Sequence, residues 1–542
     1  MSSGDAQLGP RGASTYDYVI VGAGSAGCVL AGRLSEDADA RVALLEAGGA
    51  DGRPEIRMPA AFPVLLKSSV DWDLLGEPEP GLGNRRLYLP RGKVLGGCSA
   101  INAMIYTRGN RVDYDAWAQA GCGGWSYDDV LPYFKRAEDN ERGEDAYHGT
   151  GGPLRVSDGR SLHPLVDTML EAARQAGHES NPDFNGARQE GVGRFQLTQR
   201  DGLRCSAADA YLHPAAGRAN LDVITGALAL RILFEGDRAV GVEIACDGRV
   251  QRIRADREVI LSAGSYQSPV LLMLSGIGPE DQLAPFGIEV REALPVGHGL
   301  QDHCMAQLNY LTDETSLFMA VTPENIALLQ AEGCGPLSSN IPEAAGFFRT
   351  RPGLDAPDVE FHFAPSMFFD EGLSAPSDHG YCFGPVVINP TSRGRVMLRT
   401  PLPDSKPRVL CNFLTTEEDR ESMLAGMRIA LEIASQPPLR AVERAPFSVP
   451  DSDSDEDLME FVRRAGQTVY HPTSTCAMGS VVDPQLLVYG LQGLRVVDAS
   501  VMPQITRGNT NGPTIMIAER AADLIRAPDG MVASAGPSVL RT

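Results

Sequence analysis

Four apolar residues, Tyr18-Val19-Ile20-Val21, run into Gly22, the pattern of a short strand buried on both faces. A glycine-rich turn, Gly22-Ala23-Gly24-Ser25-Ala26-Gly27, follows at once. Cys28 to Ser35 then reads as a helix, and Arg41 to Leu45 as a second apolar strand that ends at Glu46. Further along, Leu221–Gly226 and Ala239–Ile244 alternate as strands, and Arg257–Gly264 reads as a buried strand reaching a glycine turn. Between them, residues 111–203 read as helix and loop, with Asp113 to Trp117 opening one helix. From about Met305 to Ala465 the texture changes. Strand-like pieces such as Val359–Phe363 and Arg395–Arg399 are separated by Pro- and Gly-rich loops, and Arg420–Ala434 reads as a helix. The acidic run Asp451–Asp457 reads as a solvated loop whose carboxylates favour the N-terminus of a helix over Leu458–Arg464. Thr514–Ile525 is the last expected helix. Residues 1–14 read as a loose tail, and the stretch from Ala47 to about Pro90 has no clear period, as lids and binding segments often do not.

Composition narrows the class. A chain of 542 residues exceeds one compact core and predicts two to four domains or one large interleaved fold. Its net charge of −22 argues against nucleic acid or an anionic membrane surface as a partner. Ten cysteines without CxxC or zinc-like spacing predict reduced, packed thiols and a cytoplasmic protein. The first residues lack the apolar core of a secretory signal, and no run of about 18 apolar residues predicts a membrane span.

The turn at Gly22 carries chemistry. Gly22 permits the tight turn, Gly24 lets a pyrophosphate approach the backbone, and Gly27 lets helix and strand pack closely. The helix start offers free N–H groups to phosphate. Glu46, 19 residues past Gly27, stands where an acid accepts hydrogen bonds from a ribose hydroxyl. These features predict dinucleotide binding, and at this level a nicotinamide-dependent dehydrogenase or a nucleotide-binding protein remains open. A second segment, Pro90 to Gly109, is rich in small residues. Gly96 and Gly97 would let the backbone lie flat against a planar ligand, and Asn102 could hydrogen-bond to it.

These two stretches resemble the glucose–methanol–choline (GMC) family of FAD-dependent oxidoreductases, in its choline dehydrogenase and alcohol dehydrogenase-like branch. Two further blocks match in the family's order: Gly264 to Gly278, and a C-terminal block of Tyr470-His471-Pro472, then Val497 to Pro503, then Gly508 to Thr514. The resemblance implies an α/β plus α+β fold, in which a Rossmann-like FAD-binding domain is interleaved with an antiparallel-sheet substrate domain roofing the flavin. The FAD-binding parts are expected at 14–155, 204–304 and 465–530, the substrate-binding parts at 156–203 and 305–464.

By the same resemblance, FAD is held by Gly22, Gly24, Ser25, Ala26, Gly27, Glu46 and Ala47 from the first block, and by Arg91, Gly96, Gly97, Ser99, Asn102, Ala103 and Met104 from the second. Val223 supports the adenosine end through its backbone, Ala263 and Gly264 lie near the pyrophosphate, and Asp498, Ala499, Asn511, Pro513 and Thr514 complete the cradle. His471 corresponds to the family's catalytic histidine and Asn511 to its second active-site residue. The implied reaction is oxidation of a small-molecule alcohol to an aldehyde or ketone, with hydride passing to flavin N5 and His471 taking the hydroxyl proton. Tyr470, His362 and Met305 are candidate pocket residues.

Two departures bear on substrate and linkage. Ile101 stands where choline-oxidising members carry the histidine that binds flavin covalently, so FAD is expected without a covalent bond. Met305 comes after Gln301-Asp302-His303-Cys304, near where those members place a glutamate for the trimethylammonium head, and it brings no charge. A non-oxidative lyase or flavin photoenzyme on the same fold, or a choline dehydrogenase proper, remains an alternative. Oxygen or another acceptor would reoxidise the flavin, and a monomer or homodimer is expected.

Overall fold

The computed structural model describes residues 15–527, so the expected tail at 1–14 lies outside the described residues. Two sheets organise the chain. In the first, the strand Thr15–Val21 is the centre of a parallel set. It pairs with Val42–Leu45 on one side and Arg249–Leu261 on the other; Leu221–Ile224 extends the first side and Leu494–Val496 the second. Tyr18 to Val21 are at most 5% exposed, as the unbroken apolar run requires. The 13-residue strand Arg249–Leu261 continues into an antiparallel meander with Arg238–Cys246 and Leu228–Glu235.

The helix Ser25–Leu34 begins three residues before the expected Cys28 and is buried nearly all round. It packs against the helix Asn511–Arg526, near the end of the described chain. Glu519 of that helix is fully buried, where it receives hydrogen bonds from Arg33, Arg136 and Tyr211. A buried carboxylate with three such donors is compensated for its lost hydration.

The second sheet has eight strands, all antiparallel. Its main path runs Glu443–Ser448, Leu308–Thr312, Gly380–Val387, Val359–Ala364, Ala344–Phe348, Gly191–Arg194. The two-residue strands Cys304–Met305 and Gln467–Thr468 pair with each other, and the first also joins Gly380–Val387. Every residue of Val359–Ala364 and Gly380–Val387 is buried, so this sheet is covered on both faces there. The chain thus forms an α/β plus α+β fold in which a doubly wound nucleotide sheet and an antiparallel sheet exchange segments.

Several local readings are corrected. Residues 111–203 hold the strands Glu138–Asn140, Leu154–Asp158 and Gly191–Arg194 besides helices, and the last of these belongs to the antiparallel sheet. The stretch after Glu46 contains the short helix Pro54–Arg57, a 3₁₀ segment Pro59–Leu65 and the two-residue strands Leu74–Leu75 and Tyr88–Leu89. The helix expected at Leu458 starts inside the acidic run, at Asp455, with the Ser454 hydroxyl accepting from the Asp457 N–H at 3.2 Å. Among the described residues, no helix is long and apolar enough to cross a membrane.

Candidate active site

One continuous cavity lies between the sheets, with the nucleotide fold along one wall and the antiparallel sheet along the other. The helices Ser25–Leu34 and Asn511–Arg526 both start on its wall. Neither has a side-chain cap or an acidic residue in its first turn, so their free N–H groups and positive dipole ends face the cavity. The helix Gly264–Leu274 also starts there, but its Gly264 N–H donates to Asp498 at 2.9 Å. A Cβ built on Gly24 would meet only the Ser262 carbonyl, at 3.9 Å, so this turn leaves room for a ligand against its backbone. A Cβ on Gly27 would stand 1.8 Å from the Gly22 carbonyl oxygen, which ties Gly27 to packing.

Glu46 lines the cavity and accepts from the Ala23 N–H at 2.9 Å and the Gly48 N–H at 2.8 Å. Burial pushes its carboxyl up to about 7, against the pull of those two amides. Its remaining lone pairs suit ribose hydroxyls. Two open helix ends, a roomy glycine turn and a buried acid at the right spacing fit the diphosphate and ribose of FAD.

Of the residues expected to touch this group, Gly22, Gly24, Ser25, Ala26, Glu46, Ala47, Arg91, Gly97, Asn102, Ala103, Met104, Ala263, Gly264, Asp498, Ala499, Asn511 and Thr514 lie on the wall. Gly27, Gly96, Ser99, Val223 and Pro513 do not. Gly96 donates its N–H to the Ala23 carbonyl at 2.8 Å, binding the two glycine loops together. The Ser99 hydroxyl donates to the Gly96 carbonyl at 2.6 Å and accepts from the Ala207 N–H at 2.9 Å. Val223 is paired with Leu44 in the parallel ladder, and Ala227, Leu228 and Ala229 form the wall instead. Gly97 is on the wall for a different reason from the one expected. A Cβ there would stand 2.6 Å from Gly24 Cα, so glycine is needed for loop-to-loop contact.

The asparagine that meets His471 is not the expected one. Asn511 accepts a hydrogen bond from the Ser25 hydroxyl at 2.7 Å and so serves the nucleotide turn. It is Asn509, two residues earlier, that meets His471, with Nδ2 3.2 Å from Nε2. Thr107 fixes Asn509: its hydroxyl accepts the Asn509 backbone N–H at 2.8 Å and lies 3.4 Å from Oδ1. The sequence does offer both asparagines, in Gly508-Asn509-Thr510-Asn511, but nothing local separates one at the helix start from one just before it.

His471 is buried and lines the cavity. Burial first, then the neighbouring His303, His362 and Arg91, hold its imidazole well below the ordinary histidine range, so it is neutral at neutral pH. Its backbone N–H donates to Asp302 at 2.8 Å, and Asp302 also accepts from the His303 N–H at 2.8 Å and the Thr468 hydroxyl at 2.6 Å. Burial raises that carboxyl to about 6. Tyr470 has φ +70°, a left-handed conformation for a large residue, with the Arg91 guanidinium on its carbonyl at 2.6 Å. The Gln301-Asp302-His303 stretch, which drew notice in the sequence only for the uncharged Met305 beyond it, is therefore the frame of the histidine loop. These three consecutive polar residues are all at most 3% exposed.

Met305, His362, Phe368 and Ile341 line the same cavity. His362 Nε2 lies 3.4 Å from an oxygen of Glu360, which sits on the same face of its strand and is fully buried. Ile101 is on the wall as well, and it offers no atom that could bond to a flavin.

Family models described as GMC oxidoreductase match residues 16–305 and 390–518. An uncharacterised GMC-type oxidoreductase of Mycobacterium tuberculosis is 46% identical over 529 residues, covering 94% of this chain and 99% of the relative. An oxygen-dependent choline dehydrogenase of Rhizobium etli is 44% identical over 527 residues, covering 94% and 95%. The crystal structure of pyridoxine 4-oxidase from Mesorbium loti superposes with a TM-score of 0.86 at 33% identity, over 94% of this chain and 98% of that one.

Proposed function

From the premise that the chain belongs to the GMC oxidoreductase family, we propose that this FAD-dependent alcohol oxidoreductase uses His471 Nε2 to take the hydroxyl proton while Asn509 holds the oxygen. The observation that carries the proposal is the contact of Nε2 with Asn509 Nδ2 at 3.2 Å, on the wall of the cavity, by an imidazole that burial keeps neutral. A neutral imidazole has a lone pair ready at physiological pH, and an amide N–H beside it positions a hydroxyl oxygen. Bound FAD would supply the hydride acceptor for the carbon being oxidised.

Glu46 would hold the ribose, and the starts of Ser25–Leu34 and Asn511–Arg526 the negative charge of the cofactor. FAD is held without a covalent bond, because isoleucine at position 101 cannot form one. The five-segment division into FAD-binding and substrate-binding parts belongs to the same proposal, with the strands Cys304–Met305 and Gln467–Thr468 at the two joins around the second substrate part. Ten unpaired cysteines support a reducing, cytoplasmic setting. A choline dehydrogenase is the second reading, favoured by the Rhizobium etli relative. Met305 on the wall offers no charge to an ammonium head, which favours an uncharged alcohol.

The test is anaerobic stopped-flow reduction of the enzyme-bound flavin across an alcohol panel that includes choline, followed by reoxidation with air or a quinone. His471→Ala should keep its flavin and reduce it slower by about 10² to 10⁴. Wild-type reduction rates in that variant would overturn the assignment. Acid precipitation should release free flavin into the supernatant.

A further inference from the structure

The imidazoles of His303 and His471 face each other through their Nδ1 atoms at 3.0 Å, ring planes at 90°. Neither ring is charged. Burial, then His362, pushes His303 down to about 3, and His471 is held low as well. Two neutral rings in such a contact share one proton, so one Nδ1 donates and the other accepts. The far side of His471 decides which. There Asn509 Nδ2, a donor, points at Nε2, while Asn509 Oδ1 is turned to the Thr107 hydroxyl. Nε2 must therefore be the bare nitrogen of His471, its Nδ1 carries the proton, and His303 Nδ1 accepts it. That leaves the His303 proton on Nε2, where no partner stands at hydrogen-bonding geometry, although the Ile388 backbone favours a proton on this ring.

We infer that His303 is a positioning residue that fixes the tautomer of His471, holding the proton on Nδ1 so that Nε2 keeps a lone pair, which accepts from Asn509 Nδ2 here and from the substrate hydroxyl once that hydroxyl comes between them. This rests on the reading of His471 as the proton acceptor. When the alcohol is activated, its O–H bond breaks, the proton bonds to His471 Nε2, and the Nδ1–H bond to His303 persists and spreads the new positive charge. His303 does not line the cavity and is fully buried, so it touches neither substrate nor cofactor. The other polar groups acting on the pair are His362 and Arg91, with Asp302 fixing both backbones.

The test compares His303→Leu, which fills the space without an acceptor, with His303→Asn, whose Oδ1 can stand where Nδ1 stood. A base in the wrong tautomer loses up to about 10⁴ in rate. His303→Leu should slow anaerobic flavin reduction by about 10²-fold, with flavin content and melting temperature kept, and should shift the acidic limb of its pH profile. His303→Asn should recover most of that loss. Nitrogen-15 spectra of histidine-labelled protein, with His471 identified as the ring lost in His471→Ala, should show a bare Nε2 in the wild type. Equal rates for the two variants would overturn the inference, since a space-filling role favours Leu. So would a protonated Nε2 in the wild type, and that measurement stands even where the Leu variant does not fold. Normal reduction by His471→Ala would instead sink the reading beneath it.

Discussion

Ser25 and Asn511 are 486 positions apart in the chain, yet the Ser25 hydroxyl donates to Asn511 Oδ1 at 2.7 Å. Each stands at the first position of its helix, so the bond ties together the two open helix ends that face the cavity.

This contact separates the two asparagines. Asn511→Ala should weaken FAD retention, read as flavin per protein after gel filtration, and leave the reduction rate of loaded enzyme within a few-fold. Asn509→Ala should keep its flavin and slow anaerobic reduction by roughly 10-fold or more, because the hydroxyl loses its positioning partner. The opposite pattern would return the catalytic role to Asn511.

The glycines of the first turn should divide in the same manner. Gly24→Ala puts a methyl group into open space, so the variant should melt like the wild type and bind FAD at least about 10-fold more weakly. Gly27→Ala places its methyl group against the Gly22 carbonyl and should fail to give soluble protein. Tight FAD binding by Gly24→Ala in a titration would contradict the cradle.

Glu79 offers a test by pH. It is 1% exposed, accepts from the Cys411 and Phe413 N–H groups, and is raised by burial from 4.5 to about 7. A carboxyl raised in the folded state binds its proton more tightly there than when unfolded. Its contribution is fully present below the unfolded value and is lost as pH rises through about 7. That span corresponds to at most about 3 kcal/mol. Melting curves from pH 5 to 8 should show the wild type losing stability relative to Glu79→Gln; a constant gap would speak against it.

Ile341, on the cavity wall, has φ +73°, which for a β-branched residue costs on the order of 1–3 kcal/mol. Its N–H is held by the Ser339 hydroxyl at 3.1 Å. Ile341→Gly should melt at the same or a higher temperature while losing roughly 10-fold in discrimination between small and bulky alcohols, the worth of a methylene or two in an apolar pocket. Unchanged selectivity across the alcohol panel would remove Ile341 from the specificity wall.

What could be read from sequence was local. The turn from Tyr18 to Glu46 has every cue within thirty residues; the strand forms there, Gly22, Gly24 and Glu46 line the cavity, and Gly27 serves packing alone. Gly97 could be seen to be necessary, but not why, since the reason is Gly24 more than seventy positions away. The same limit hid His303, whose partner is 168 positions on, and Asp302, which supports the loop of His471 from the segment just before the strand Cys304–Met305. The strand Gln467–Thr468 is too short for any periodicity to register. His362 was visible as a candidate, whereas Glu360, two residues before it on the same face, gave no cue that it would be buried.

The parallel sheet has one more consequence, in time. Its pairing strand Leu494–Val496 and the covering helix Asn511–Arg526 emerge from the ribosome long after the glycine turn they complete. At about 5–20 residues per second, the interval from position 46 to position 526 is roughly half a minute to a minute and a half. Throughout it, the helix Ser25–Leu34 lacks the partner that buries it, and Arg33 lacks Glu519. A nascent chain must therefore keep its oldest motif from aggregating until almost its newest residues arrive.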